Sequence, residues 1–310
     1  MQKLRFALFG NIYQAKKSAL VKKLLCSLEG HGAEVWIDRS FYEYLTDQLQ
    51  LNINAAGLIE GNDFSANFAV SMGGDGTFLQ TATRIGDKGT PIIGVNTGRM
   101  GFLADVGGDE IDGIVESIYD GDYRLEERSV LEVVKNSATC SVPSTGLNEA
   151  DNSGLGAPNY PYALNEVAVL KRDNSSMISI RVDVNGEYLT TYQADGLIVN
   201  TPTGSTGYAL SVGGSIMSPR SQVLGITPVA AHSLNVRPIT IRDDVEIRLR
   251  VESRNHQFLV AIDGRSETCS EDCQLTIRRA PYTIRVLKRP DSSFFRTLRE
   301  KLAWGTDVRN

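Results

Sequence analysis

The sequence predicts an α/β plus all-β chain, with an N-terminal doubly wound α/β domain followed by a C-terminal antiparallel β-rich domain. A last helix is expected to return to the N-terminal domain. Three observations predict this. Strand-like and helix-like patterns alternate through the first part of the chain, which implies a mostly parallel sheet covered on both faces. From about Ser129 the pattern changes to short alternating strands and tight turns. The chain closes on "SSFFRTLREKLAWG", which reads as a capped amphipathic helix. The expected divisions are residues 1–128, 129–290 and 291–310.

Each element follows from local chemistry. "LRFALFG" reads as a strand, Ala15 to Glu29 as a helix and "AEVWI" as a strand, followed by a helical stretch from Phe41 to Leu51. "FAVSM" and "PIIGVN" continue the strands, with "FLQTATRIG" as the helix between them. In the second part, "ISIRVDV", Asn185-Gly186 and "EYLTTY" form a hairpin signal, because Asn-Gly adopts the positive φ angles of a type I′ turn. "VEIRLRVES", "FLVAIDG", "QLTIRRA" and "YTIRVLKR" read as further strands. In the last helix Phe295, Leu298 and Leu302 share one face. Residues Ser137 to Pro161, rich in Ser, Gly, Asn and Pro, read as a surface insertion.

Length and composition bound the function. At 310 residues, two domains are favoured over one core. A net charge of -5 and a pI near 5.4 give no basic footprint for nucleic acid. The N-terminal apolar run is too short for a signal peptide, and no segment approaches a membrane span, so a cytoplasmic location is expected. Cys26, Cys140, Cys269 and Cys273 do not make a zinc pattern and are expected to be reduced thiols. His31, His232 and His256 lie far apart, so no dedicated protein metal site is expected.

The chemistry starts at "VSMGGDGTFLQ". Gly73, Gly74 and Gly76, followed by Thr77, fall between a strand and a helix N-terminus. There, glycines with unusual backbone angles and open amide N–H groups suit a phosphate. Neither a P-loop nor a G-x-G-x-x-G fingerprint is present. Asp75 would repel a phosphate unless it faces a hydroxyl or a cation, and a carboxylate so placed can take the proton of an alcohol attacking a terminal phosphoryl group. An ordinary Asp-Gly turn is the alternative for this pair, as for Asp195-Gly196 and Asp263-Gly264.

"GGDGT" resembles the signature shared by NAD kinases, diacylglycerol and sphingosine kinases and, more loosely, phosphofructokinases. Three further stretches are similar to the NAD kinase family: "NTGRMGFL", "LNEVAV" and "ADGLIVNTPTGSTGYALSVGG", with "AHSLNVRPI" following. Asn165 offers both donor and acceptor to a vicinal diol, and Glu166 can accept from a hydroxyl. Thr201, Thr203, Ser205 and Thr206 supply hydroxyls, while Phe102 and Tyr208 supply aromatic faces.

The resemblance implies an ATP-dependent NAD kinase that phosphorylates the 2′-hydroxyl of the adenosine ribose of NAD to make NADP. Asp75 would activate that hydroxyl, with diphosphate near Gly73, Gly74 and Gly76, and Mg²⁺ carried by the phosphates. The implied NAD contacts are Phe102, Asn165, Glu166, Gln193, Asp195, Thr206, Gly207, Tyr208, Ala209, Leu210, Ser211 and Arg265. Gly207 stands where the family commonly has alanine, and Gln193 where many bacterial relatives have a basic residue. By the same resemblance the protein is expected to be a homodimer or homotetramer, with part of each substrate pocket supplied by a neighbouring subunit. Two rival readings are a lipid or other small-alcohol kinase, which needs an apolar acceptor pocket, and a non-catalytic dinucleotide sensor, which has no need of Asp75.

Overall fold

The computed structural model describes residues 3–11, 18–98, 101–136, 160–173 and 176–305. The chain divides into two compact units, one of residues 1–127 with 284–310 and one of residues 128–283. Most of the insertion from Ser137 to Pro161 lies outside the described residues.

In the first unit the chain runs β1 (Arg5–Gly10), α1 (Ser18–Gly30), β2 (Glu34–Asp38), α2 (Arg39–Glu43), β3 (Gly57–Ile59), β4 (Phe68–Gly73), α3 (Asp75–Ile85), β5 (Ile92–Asn96) and α4 (Ile111–Asp120). All strand pairs are parallel, in the order β5-β4-β1-β2-β3. The order reverses between β1 and β4, which makes their carboxyl ends the topological switch point where open α/β sheets bind ligands. β4 and β5 are buried at every residue, as expected of central strands covered on both faces. The core gathers Phe6, Leu8, Val70, Met72 and Val95 from the sheet with Leu24 and Leu28 of α1 and Ile114 of α4. The short β3 and the helix α4 were not among the sequence expectations. The stretch expected as a helix from Phe41 to Leu51 is instead α2 followed by a π-helical turn at Tyr44–Gln48.

The second unit is built mainly of antiparallel strand pairs. It follows β6 (Arg124–Asn136) with β7 (Tyr162–Ala163), β8 (Glu166–Lys171), β9 (Ile178–Val184), β10 (Glu187–Ala194), β11 (Gly196–Asn200), a short α5 (Tyr208–Ser211), β12 (Val223–Val229), β13 (Ile239–Arg242), β14 (Glu246–Glu252), β15 (Gln257–Ile262), β16 (Arg265–Ser270) and β17 (Gln274–Lys288). One six-stranded sheet has the order β13-β12-β11-β8-β15-β16. The hairpin β9-β10 turns at Asn185 (φ 50°) and Gly186 (φ 83°), as the Asn-Gly pair predicts. "QLTIRRA" and "YTIRVLKR", read as two strands, form the single strand β17, whose end belongs to the first unit, where Val286 pairs with Ile92.

The last helix, α6 (Phe294–Leu302), belongs to the first unit. Leu298 is its buried anchor, but Phe295 is 64% exposed and so is not on the packed face. Ser293 starts the helix without a side-chain cap. Cys26 and Cys269 are free thiols as expected, whereas Cys273 is disulfide-bonded, a departure that isolated cysteines in a sequence cannot signal.

Candidate active site

The acidic glycine turn leaves the carboxyl end of β4 and opens α3, with Gly74 at the N-cap and Asp75 at the first helical position. None of Gly73, Gly74 and Gly76 has a positive φ, so unusual backbone angles do not explain them. Close approach explains Gly73, where an added Cβ would lie 2.1 Å from Oγ1 of the buried Thr77. At Gly74 and Gly76 an added Cβ would meet nothing within 4 Å. Among the described residues, then, nothing fills the space over the first turn of this eleven-residue helix, whose N–H groups favour an anion.

Asp75 turns away from that open space toward the loop after β5. Its Oδ2 accepts from the Phe102 N–H at 2.9 Å, and its Oδ1 accepts from the Leu103 and Ala104 N–H groups at 3.0 and 3.1 Å. Three consecutive amides thus hold one carboxylate. Gly101 is required for this grip, since a Cβ there would lie 1.9 Å from Asp75 Oδ1. The loop is pinned from its other side by buried Asn96, whose Nδ2 donates to the Ala104 carbonyl at 3.2 Å and whose Oδ1 accepts from the Gly98 N–H at 2.6 Å. Arg99 and Met100 of the same stretch lie outside the described residues. Phe102 is half-buried, and the Lys301 ammonium of α6 sits 4.6 Å from its ring centroid and 3.6 Å from Asp75 Oδ2.

The second unit builds a different polar centre. Asp263, at the positive-φ turn between β15 and β16, accepts from three consecutive N–H groups, those of Leu164, Asn165 and Glu166, at 2.6, 2.9 and 3.0 Å. This fixes Asn165 and Glu166 at the start of β8. The loop after β11 packs on them so closely that a Cβ at Gly204 would lie 2.1 Å from the Asn165 carbonyl oxygen. Asn165 Oδ1 and Glu166 Oε2 are buried with no hydrogen-bond partner among the described residues. Two adjacent unfilled acceptors cost stability unless a ligand donates to them, which suits the hydroxyls of a diol.

Burial, with the nearby Asp263 carboxylate, pushes the Glu166 carboxyl up to about 7, against one hydrogen bond from the Tyr208 N–H that lowers it. A raised folded value means the folded chain binds this proton more tightly than the unfolded one. Its contribution is therefore fully present below pH 4.5 and is lost as the pH rises toward 7. Glu166→Gln is expected to raise the melting temperature of the free protein at pH 8, by a gain of about 2–3 kcal/mol, and to leave it unchanged at pH 4. Thermal melts at the two pH values check this.

The other expected contacts divide. Thr206, Gly207 and Tyr208 lie on the loop beside Asn165 and Glu166, and Tyr208 is 38% exposed. A Cβ at Gly207 would come 3.0 Å from Glu166 Oε2, so the glycine leaves room at the open acceptor. The hydroxyls expected to face a ligand at Thr201 and Ser205 are buried and spent on the loop itself, on the Leu164 carbonyl at 2.6 Å and the Pro202 carbonyl at 2.6 Å. Thr206 and Ser211 also bond locally, to the Thr203 and Tyr208 carbonyls. The Ala209 side chain is buried, and Leu210 is half-buried.

Gln193 and Asp195 are not brought to this centre within one chain. Gly196 pairs with Leu170 while Asn200 pairs with Glu166, which puts Asp195 beyond the far end of β11, about 13 Å or more away along the strand. There Asp195 pairs with Lys171 at 2.7 Å, and Gln193 donates to Ser179 Oγ at 2.6 Å. Arg265 is half-buried over the Tyr160 ring, and donates from Nε to the Ile262 carbonyl and from Nη2 to the Tyr162 carbonyl, at 3.0 and 2.7 Å.

A carboxylate at a helix N-terminus on the switch point of a parallel sheet, and two open acceptors side by side on a β-rich unit, suit a nucleotide-dependent alcohol kinase. The ATP-NAD kinase N-terminal domain matches residues 7–123 and the ATP-NAD kinase C-terminal domain residues 164–288. An NAD kinase of Bacteroides fragilis is 56% identical over 99% of this chain and 100% of its own length, and one of Porphyromonas gingivalis is 41% identical over 98% and 99%. The chain belongs to the NAD kinase family. Its fold is that of yeast NADH kinase, solved with NADH (TM-score 0.82, 19% identity, 100% of this chain and 90% of that one). It is also that of an NAD kinase from Archaeoglobus fulgidus, solved with ATP (TM-score 0.72, 23% identity, 97% and 99%).

Proposed function

We propose that the chain is an NAD kinase that transfers the γ-phosphoryl group of ATP to the 2′-hydroxyl of the adenosine ribose of NAD⁺, giving NADP⁺ and ADP. The observation that carries the mechanism is the hydrogen-bond count at Asp75. Each carboxylate oxygen has two acceptor positions. Among the described residues Oδ1 uses both on N–H groups, while Oδ2 uses one and keeps one. The 2′-hydroxyl donates to that position of Oδ2. As its oxygen bonds to the γ-phosphorus, the proton passes to Oδ2 and the bond from the γ-phosphorus to the bridging oxygen of ADP breaks.

The other residues bind and orient. The open first turn of α3, at Gly74 and Gly76, receives a diphosphate. Phe102 offers a ring face to a base and, in the second unit, Asn165 with Glu166 offers two acceptors, unfilled among the described residues, to sugar hydroxyls. Arg265 retains Nη1, without a partner among the described residues, for a phosphate or the nicotinamide end. Mg²⁺ would be carried by the phosphates of ATP. There it would neutralise charge on the phosphates.

The distance of Gln193 and Asp195 from Asn165 supports a homo-oligomer in which these two residues serve a neighbouring copy's pocket. A cytoplasmic location is part of this proposal; no helix among the described residues is long and apolar enough to cross a membrane. Purified protein incubated with NAD⁺, ATP and Mg²⁺, followed by an NADP-specific dehydrogenase, is expected to give a signal that needs all three. Folded protein that binds NAD⁺ and gives no signal would instead be a dinucleotide sensor.

A further inference from the structure

We infer that Lys301 is a positioning residue for this reaction, tying the reactive oxygen of Asp75 to the ring of Phe102. The inference rests on the proposed NAD kinase reading. Its starting point is which oxygen the lysine faces. Nζ lies 3.6 Å from Oδ2, the oxygen with an acceptor position left, and 4.6 Å from the Phe102 ring centroid. The two charged side chains are 29% and 32% exposed, so solvent screens their attraction only in part.

At 3.6 Å the ammonium is too far to take the remaining lone pair as a hydrogen bond, yet close enough to hold the carboxylate electrostatically. The same ammonium lies over a ring face, where the aromatic quadrupole attracts a cation. One side chain thus sets the carboxylate that receives the ribose proton and the ring proposed to stack on the base. A change in either would move the attacking oxygen relative to the phosphorus.

The rest of the C-terminal segment keeps Lys301 in place. Leu298 anchors α6, and Ala303 at φ 50° ends the helix just beyond Lys301, leaving the lysine in the last turn, where a cation is favoured. The same segment grips the far end of the Phe102 loop. Buried Lys288 donates to Asp105 Oδ2 at 2.7 Å, and the Ser292 hydroxyl donates to that oxygen at 3.4 Å. The loop that holds Asp75 is therefore tied at both ends to residues 288–301.

Three variants test this. Lys301→Met keeps length and removes charge, Lys301→Arg keeps charge, and Arg299→Met changes an exposed cation on the same turn. In the coupled assay, Lys301→Met is expected to lower kcat about tenfold or more, with KM for ATP within about twofold. Lys301→Arg should recover most of that loss, and Arg299→Met should match the wild type. Amide hydrogen exchange at Phe102, Leu103 and Ala104 should be faster in Lys301→Met alone. Wild-type kcat and exchange in Lys301→Met would overturn the inference, as would an equal loss in Arg299→Met. Absence of NADP⁺ formation by the wild type would remove the functional reading instead, and the exchange comparison would still decide whether Lys301 holds the loop.

Discussion

Asp75→Asn loses NADP⁺ formation by about 10²–10⁴-fold, the range expected when a positioned proton acceptor is removed. The amide keeps the shape of the carboxylate but cannot serve three N–H donors, because one of its two heavy atoms is itself a donor. One of the bonds now made to Phe102, Leu103 and Ala104 then faces an NH₂ group. The variant should therefore show two effects, a collapse of kcat and faster amide exchange at residues 102–104. Steady-state kinetics and exchange on the same preparation measure both. Near-normal turnover would remove Asp75 from the proton transfer.

Gly101→Ala is expected to lower kcat about 10²-fold while every group that reacts stays chemically unchanged, since misplacement by about 1 Å is enough for such a loss. The added methyl would lie 1.9 Å from Asp75 Oδ1, so either the carboxylate or the loop must move. Gly76→Ala is the contrast in stability. Its methyl meets nothing within 4 Å and its φ is not positive, so its melting temperature should stay near wild type while that of Gly101→Ala falls. Kinetics of Gly101→Ala equal to wild type would mean that the Asp75 geometry does not govern the rate.

The parts legible in the sequence were those with a short-range cause. The β4-α3 turn, the Asn185-Gly186 hairpin and the buried runs of β4 and β5 each follow from neighbouring residues. The Asn165-Glu166 pair was also legible, but the reason it stays rigid was not. That reason is Asp263, which pairs with it only after β15 folds against β8. Lys301 was invisible because its partner Asp75 lies near the other end of the chain, and no local pattern marks one lysine of an amphipathic helix as special. Gly101 lies within the "NTGRMGFL" stretch, but its necessity depends on a carboxylate from another element.

The errors have equally physical sources. A run of Thr and Ser reads as a set of hydroxyls for a ligand, yet a loop without regular pairing must satisfy its own backbone first. Thr201 and Ser205 do that work here. The glycines of the acidic turn were expected to need forbidden backbone angles, whereas Gly73 needs room for Thr77 and the others leave space. Phe295 fits the helical period of Leu298, but α6 has one buried anchor, and the ring lies outside it.

The most direct measurement follows the phosphorus. The wild-type protein would be supplied with ATP labelled at the γ-phosphate and, in parallel, with NAD⁺ and its analogue lacking the adenosine 2′-hydroxyl. Label should appear on NAD⁺ and not on the 2′-deoxy analogue, with the product accepted by an NADP-specific dehydrogenase. Label on the 2′-deoxy analogue would contradict the account, because the hydroxyl assigned to Asp75 would not be the one that reacts.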